Sequence, residues 1–212
     1  MSNIWFVGDS ITYGYGCRPG YDYEYYNLTY KEGDKTWTKI IADYFKMEEN
    51  DLSQVAGSNP YTLKTLITNL KNFKSGDVVV IGTSPSHGVL VPSTKYNKIT
   101  STNGLELKHL LPFPPERKKA IEDWREHHIL PYEKLWDAHY IEAFKDISVE
   151  LINRGVITIV WEYKLWKETE FETIITHTKG KIKDKTHFSW KGHKDFAEVI
   201  IPKIEKIKPC LI

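Results

Sequence analysis

The run Asp77-Val78-Val79-Val80-Ile81-Gly82 constrains the fold more than any other part of the chain. Four consecutive large apolar residues ending at a glycine read as a strand covered on both faces, because a strand with one wet face alternates apolar with polar residues. Such a strand needs a layer above it and another below, and helices in parallel crossover connections are the usual way to supply them. Asn3 to Val7 and Val156 to Trp161 also read as short buried strands, and Leu52 to Ala56 as a further one.

The segments between these strands carry helical periodicity. Trp37, Ile40, Ile41, Tyr44 and Phe45 form one apolar stripe, and Leu63, Leu66, Ile67, Leu70 and Phe73 form another. Pro114-Pro115 opens a helix through about Glu126. Residues 132–153 carry the stripe Tyr140, Phe144, Ile147, Leu151, with Gly155 as the C-terminal stop. A last helix follows Ser189 as N-cap, and its apolar face is Phe196, Ala197, Ile200, Ile201, Ile204. Residues 83–113, with Pro85, Pro92, Pro112 and a polar cluster at 100–104, read as an irregular insertion, and 162–183 follow no single period. The expectation is an α/β fold: a three-layer α/β/α sandwich with a mostly parallel central sheet. With 212 residues, 41% of them hydrophobic, the chain is expected to form one domain over 1–212.

Lys and Arg number 29 against 28 Asp and Glu, so nothing in the charge points to nucleic acid or to an anionic membrane surface as a partner. No apolar run approaches the ~20 residues of a membrane span. Ile4 to Val7 is too short for the apolar region of a signal peptide and no basic segment precedes it, so the expected location is the cytoplasm or a particle assembled there. Asn27-Leu28-Thr29 is then a chance match to a glycosylation acceptor. Cys17 and Cys210 have no metal-type spacing and suggest no disulfide framework.

In sheets of this kind ligands bind outside the carboxyl ends of the strands. Gly8-Asp9-Ser10, Ala56-Gly57 and Gly82-Thr83 each follow an expected strand, so all three turns should meet at one edge. A serine hydroxyl is a poor nucleophile unless a histidine takes its proton and a carboxylate orients that histidine. The stretch Asp184-Lys185-Thr186-His187, just before the last helix, offers both partners for Ser10. The amides of Ser10 and Gly57 are candidate donors to the oxyanion. Ser10 and His187 also admit blander readings, as a turn serine and a satisfied histidine, and Asp184 and Gly57 as turn-shaping residues.

These blocks resemble the SGNH hydrolases of the GDSL lipase and esterase superfamily. Gly8-Asp9-Ser10-Ile11-Thr12 matches the first block, Gly57 the second, and Asp184 with His187 the last, in the family's order over nearly the whole chain. The resemblance implies a flavodoxin-like SGNH fold with Ser10 as nucleophile and first oxyanion donor, Gly57 as second donor, His187 as base and Asp184 as its partner. It implies hydrolysis of short acyl esters, including acetyl groups on carbohydrate, without a cofactor. One block departs from the family. Where the pattern is Gly-x-Asn-Asp, with the Asn as third donor, this chain has Gly82-Thr83-Ser84-Pro85. Ser84 or Thr83 is a replacement donor, with Asn59 or His87 as others.

Seven tyrosines crowd residues 13–35 directly after Ser10, and their rings suit the rim of a pocket for a sugar or an acyl chain. Asp9, Asn59, Tyr13 and Tyr15 are carried as substrate-binding candidates, with Asp9 also suited to turn hydrogen bonds. His187, His193 and Asp184 make a poor metal set because a helix start falls between the histidines, and the adjacent His127 and His128 cannot easily aim at one ion. Gly14-x-Gly16 lacks the dinucleotide spacing, and there is no G-x-S-x-G elbow. Two rival readings remain open: a binding or structural module that keeps the fold without the activity, and an acyltransferase using the same residues.

Overall fold

A computed structural model of the chain describes residues 2–15, 17–18, 31–54, 57–84, 88–93, 98–103, 115–128, 130–161 and 187–207. In chain order these form β1 (Asn3–Val7), α1 (Ser10–Tyr13), α2 (Trp37–Phe45), β2 (Glu48–Asp51), α3 (Asn59–Asn69) and β3 (Val78–Gly82). A hairpin of β4 (Gly88–Ser93) and β5 (Lys98–Asn103) follows. Then come α4 (Pro115–His128), a single 3-10 turn at Leu130–Tyr132, α5 (Glu133–Asn153), β6 (Ile157–Trp161) and α6 (Trp190–Ile207).

The valine run is buried at every position of β3 and pairs in parallel on both sides, with β1 and with β6. The four-stranded sheet has the order β2-β1-β3-β6, all parallel. Alternate residues of β3 feed two separate cores. Val78 and Val80 join Ile4, Phe6, Ile159 and Phe196 beneath α2 and α6, while Val79 and Ile81 join Leu66, Phe144 and Leu151 beneath α3 and α5. Helices therefore cover both faces, and the three-layer α/β/α sandwich expected from the sequence is formed. Each fully buried aliphatic or aromatic residue contributes about 1.5–3 kcal/mol, which is why a five-residue strand with two dry faces anchors the sheet.

Two expectations are corrected. The second strand lies at Glu48–Asp51 rather than at 52–56. Among the described residues it has a single partner, β1, and lies at the border of the sheet, where Glu48, Glu49 and Asn50 meet no requirement for apolar side chains. Ladder bonds nevertheless run on past it, Leu52 N–H to Phe6 O at 2.8 Å and Gln54 N–H to Gly8 O at 3.1 Å. The stretch 83–113 is not irregular throughout, because β4 and β5 pair antiparallel from Gly88↔Asn103 to Ser93↔Lys98. The residues of 162–186 lie outside those described.

Trp37 ties the first face together. It is fully buried, its ring is edge-on to Phe6 at 5.1 Å, Phe196 at 5.0 Å and Trp161 at 6.2 Å, and its indole N–H donates to Ile11 O at 3.1 Å. Its backbone N–H, first in α2, donates to His193 Nδ1 at 3.3 Å. That bond needs a neutral ring with its hydrogen on Nε2, which is buried without a partner among the described residues. Burial, with smaller contributions from Arg18 and His187, pushes the His193 pKa down to about 3. The fold thus excludes a proton that the unfolded chain accepts near 6.5. His193 contributes stability that is complete above pH 6.5 and is lost as pH falls toward 3, by up to about 1.4 kcal/mol per pH unit. Urea midpoints measured from pH 7 to pH 4 should fall less steeply for His193→Gln than for the parent; parallel slopes would show that His193 does not carry the acid sensitivity.

Candidate active site

The Gly8-Asp9-Ser10 turn leaves the carboxyl end of β1, between β2 and β3. Asp9 is the N-cap of α1: its Oδ1 accepts from Ile11 N–H at 2.9 Å and from Thr12 N–H at 3.4 Å. The short helix ends at Gly14, whose φ of +74° is the left-handed conformation that glycine adopts without strain. Ser10 is the first residue of α1, so its amide has no acceptor within the helix.

His187 stands just before α6, and its Nε2 lies 2.8 Å from Ser10 Oγ, a contact across 177 positions of sequence. Tyr15 packs against the imidazole with ring centroids 4.7 Å apart. The buried Cys17 donates its S–H to Phe188 O at 3.5 Å, fastening the residue after His187 to the loop after α1. Burial pushes the Cys17 thiol up to about 12, so it is held as an unreactive S–H. Ser189 Oγ accepts from Gly192 N–H at 3.2 Å and caps α6 as its sequence position suggested. Asp184 and His87 lie outside the described residues.

The expected oxyanion donors are only partly available. The Gly57 amide donates to Gln54 O at 2.9 Å and so closes a turn. The Ser84 hydroxyl donates to Asp9 Oδ2 at 2.9 Å, and the Ser84 amide donates to Asn59 Oδ1 at 2.7 Å. Both donors of Ser84 therefore have partners inside the protein, and its hydroxyl supports Asp9. Asn59 also donates from Nδ2 to Ser84 O at 2.6 Å, gripping that residue's main chain at both polar atoms. What glycine gives at position 57 is proximity. A Cβ there would stand 2.8 Å from Gln54 O, 2.9 Å from Asp9 Cα and 2.9 Å from Gly8 O, all backbone atoms.

Tyr13 and Tyr15 were expected at a pocket rim, yet both rings have protein neighbours. The Arg18 guanidinium sits 4.4 Å from the Tyr13 ring centroid, its Nε donates to Tyr13 O, and it forms an ion pair with Asp51 at the end of β2. Tyr15 on His187, Cys17 on Phe188 and Arg18 on Asp51 were not found by motif reading. Their partners are remote in sequence, and only the crowding of tyrosines hinted at them. Among the described residues no group of three or more His, Cys, Asp or Glu could hold a metal, and no helix is long and apolar enough to cross a membrane.

No family model matches the chain, and no curated protein matches it. Among solved structures the chain is similar to a carbohydrate esterase whose active site displays divergent catalytic and non-catalytic binding functions, at 14% identity over 100% of this chain and 70% of that one, with a TM-score of 0.45. It is also similar to the psychrotrophic esterase EstA from Pseudoalteromonas sp., at 13% identity over 97% and 98% of the two chains, with a TM-score of 0.43. A third is a GDSL-like lipase from Bacteroides thetaiotaomicron, at 13% identity over 97% and 88%, with a TM-score of 0.37.

Asp9 is 4% exposed, and burial pushes its carboxyl above the ordinary 3.8, opposed by the bonds from Ile11 and Ser84 and by nearby His187. A raised carboxyl favours the protonated form in the fold. Its contribution is complete below pH 3.8 and is lost as pH rises through the raised folded value. Asp9→Asn should therefore gain stability relative to the parent as pH rises from 4 to 8, read from urea midpoints at each pH; a difference independent of pH would contradict this. Gly57→Ala should cost about 1–3 kcal/mol in the same unfolding experiment because backbone must move to admit the methyl. A neutral substitution would mean that the turn is looser than the contacts require.

Proposed function

We propose that the protein is a serine-dependent hydrolase of short acyl esters. The observation that carries this reading is the 2.8 Å contact between Ser10 Oγ and His187 Nε2 at the carboxyl edge of a parallel sheet. Ser10 Oγ attacks the ester carbonyl carbon, and His187 takes the hydroxyl proton. The carbonyl π electrons move to oxygen, where the amide of Ser10, which has no acceptor within α1, donates to the developing charge. Collapse breaks the bond to the alcohol oxygen, which leaves with the proton from His187. Water, deprotonated by His187, then attacks the acyl-serine, and Ser10 is released with a carboxylic acid. Asp184 is assigned to orient the imidazole, in keeping with the family pattern of the last block. No step in this scheme requires a cofactor. An acetyl group on a carbohydrate is the proposed substrate class, in keeping with the resemblance and with the tyrosines after Ser10. The same residues serve an acyltransferase if an alcohol replaces water.

A specific observation favours a second reading, a binding module that keeps the fold with little activity: the Gly57 amide and both Ser84 donors are occupied within the protein. The two readings separate on Ser10 reactivity. Treatment with a fluorophosphonate should add one phosphonyl group to the parent by intact mass and none to Ser10→Ala. An unlabelled parent, under conditions that label a control serine hydrolase, would favour the binding module.

A further inference from the structure

We infer that the carboxamide nitrogen of Asn59 is the side-chain donor to the oxyanion formed when Ser10 attacks an ester, an inference that rests on the hydrolase reading above. It assigns to the helix after the second block a role that the family gives to the third block, where this chain has Ser84.

Around Ser10 the Gly57 amide is committed to Gln54 O, the Ser84 hydroxyl to Asp9 and the Ser84 amide to Asn59. A hole without a side-chain donor is weak, since loss of one donor from such sites typically costs about 10²–10³ in turnover. Asn59 is 2% exposed and forms two bonds, Oδ1 from Ser84 N–H at 2.7 Å and Nδ2 to Ser84 O at 2.6 Å. A primary carboxamide carries two N–H bonds. The hydrogen on the same side as Oδ1 completes the paired contact with Ser84. The other projects from the opposite edge and has no acceptor among the described residues. A buried N–H left without a partner costs about 1–3 kcal/mol, a cost that an incoming substrate oxygen removes.

Position and rigidity agree with the assignment. Ser84, which Asn59 grips, has its hydroxyl 2.9 Å from Asp9 Oδ2, and Asp9 is the neighbour of Ser10. Gly57, two residues before Asn59, stands against the backbone of Gly8 and Asp9. Asn59, Ser84 and the nucleophile turn are thus one contiguous unit. The two bonds to Ser84 fix the carboxamide plane before substrate arrives, and Asn59 begins α3, so its backbone is set by the helix. Preorganised donors of this kind stabilise charge that appears only in the transition state, so their loss falls on kcat rather than on KM.

The test compares the parent with Asn59→Ala in hydrolysis of an aryl acetate and in inhibition by a phenylboronic acid, whose anionic tetrahedral adduct on serine mimics the intermediate. Asn59→Ala should lower kcat about 10²–10³-fold with KM within about threefold, and should weaken the boronic acid by a similar factor. If Asn59→Ala fails to fold, Asn59→Leu takes its place: it is nearly isosteric and removes the donor without setting a carboxylate against Ser84 O. The same loss is expected. A kcat within about fivefold of the parent, a loss carried mainly by KM, or a boronic acid affinity that stays constant while kcat falls would each overturn the inference and leave the hydrolase reading standing. A parent that neither hydrolyses the ester nor accepts the fluorophosphonate would overturn the hydrolase reading itself, and that result is read from the parent alone.

Discussion

The parallel pairing of β1 on both of its edges is the constraint on which the site depends. Because β2 lies on one side and β3 on the other, the chain must cross over β1 between them, and the turn that leaves β1 stands where the connections diverge. In a parallel sheet the carboxyl ends of neighbouring strands share one edge. The turns after β1 and β3 therefore meet without any direct sequence relation, and Ser84 reaches Asp9 across 75 positions. An antiparallel neighbour would have placed the two turns at opposite ends of the sheet.

A helix of four residues has little stability of its own, since most of its backbone groups are terminal. α1 is held from outside at several points. Asp9 satisfies two of its amides, the Trp37 indole donates to Ile11 O, and Gly14 turns the chain away in the left-handed conformation. Two buried titratable groups flank this arrangement, and burial drives both toward their neutral forms, Asp9 upward and His193 downward. Each is bonded to the first turn of a helix, Asp9 to α1 and His193 to Trp37 of α2. The turn that carries Ser10 is thus held beside two buried groups whose protonation bears on the stability of the frame.

The strands and helical faces were legible where burial imposes a period. Val78 to Ile81 alternates between two cores, and the stripe of Phe196, Ala197, Ile200 and Ile204 is buried as its spacing implied. The reading was poorer where burial is one-sided. β2 is built from Glu48-Glu49-Asn50-Asp51 because a border strand is selected by its ladder bonds, which any residue but proline can make, and so it lies before the apolar stretch read from the sequence. Of the stripe Leu63, Leu66, Ile67, Leu70 and Phe73, all but Ile67 lie in or against the second core, while α3 itself spans Asn59–Asn69 and leaves Ile67 56% exposed.

Sequence alone determined the chain order of the parallel strands and the long helices, though not the β4-β5 hairpin, together with the Ser10 turn after the first strand and a histidine ahead of the last helix, because these follow from local period and turn chemistry. The tertiary structure decided the 2.8 Å meeting of Ser10 with His187, the packing of Tyr15 on that imidazole, and which donors are already spent. Hydrogen-bond donors carry no mark in sequence of whether they are free. The Gly57 amide, the Ser84 hydroxyl and the Asn59 carboxamide are alike as letters, and only the positions of Gln54 O, Asp9 Oδ2 and the Ser84 main chain commit them. A bond of about 3 Å depends on where two remote segments come to rest, and the packing of the sheet and its two helical layers sets that.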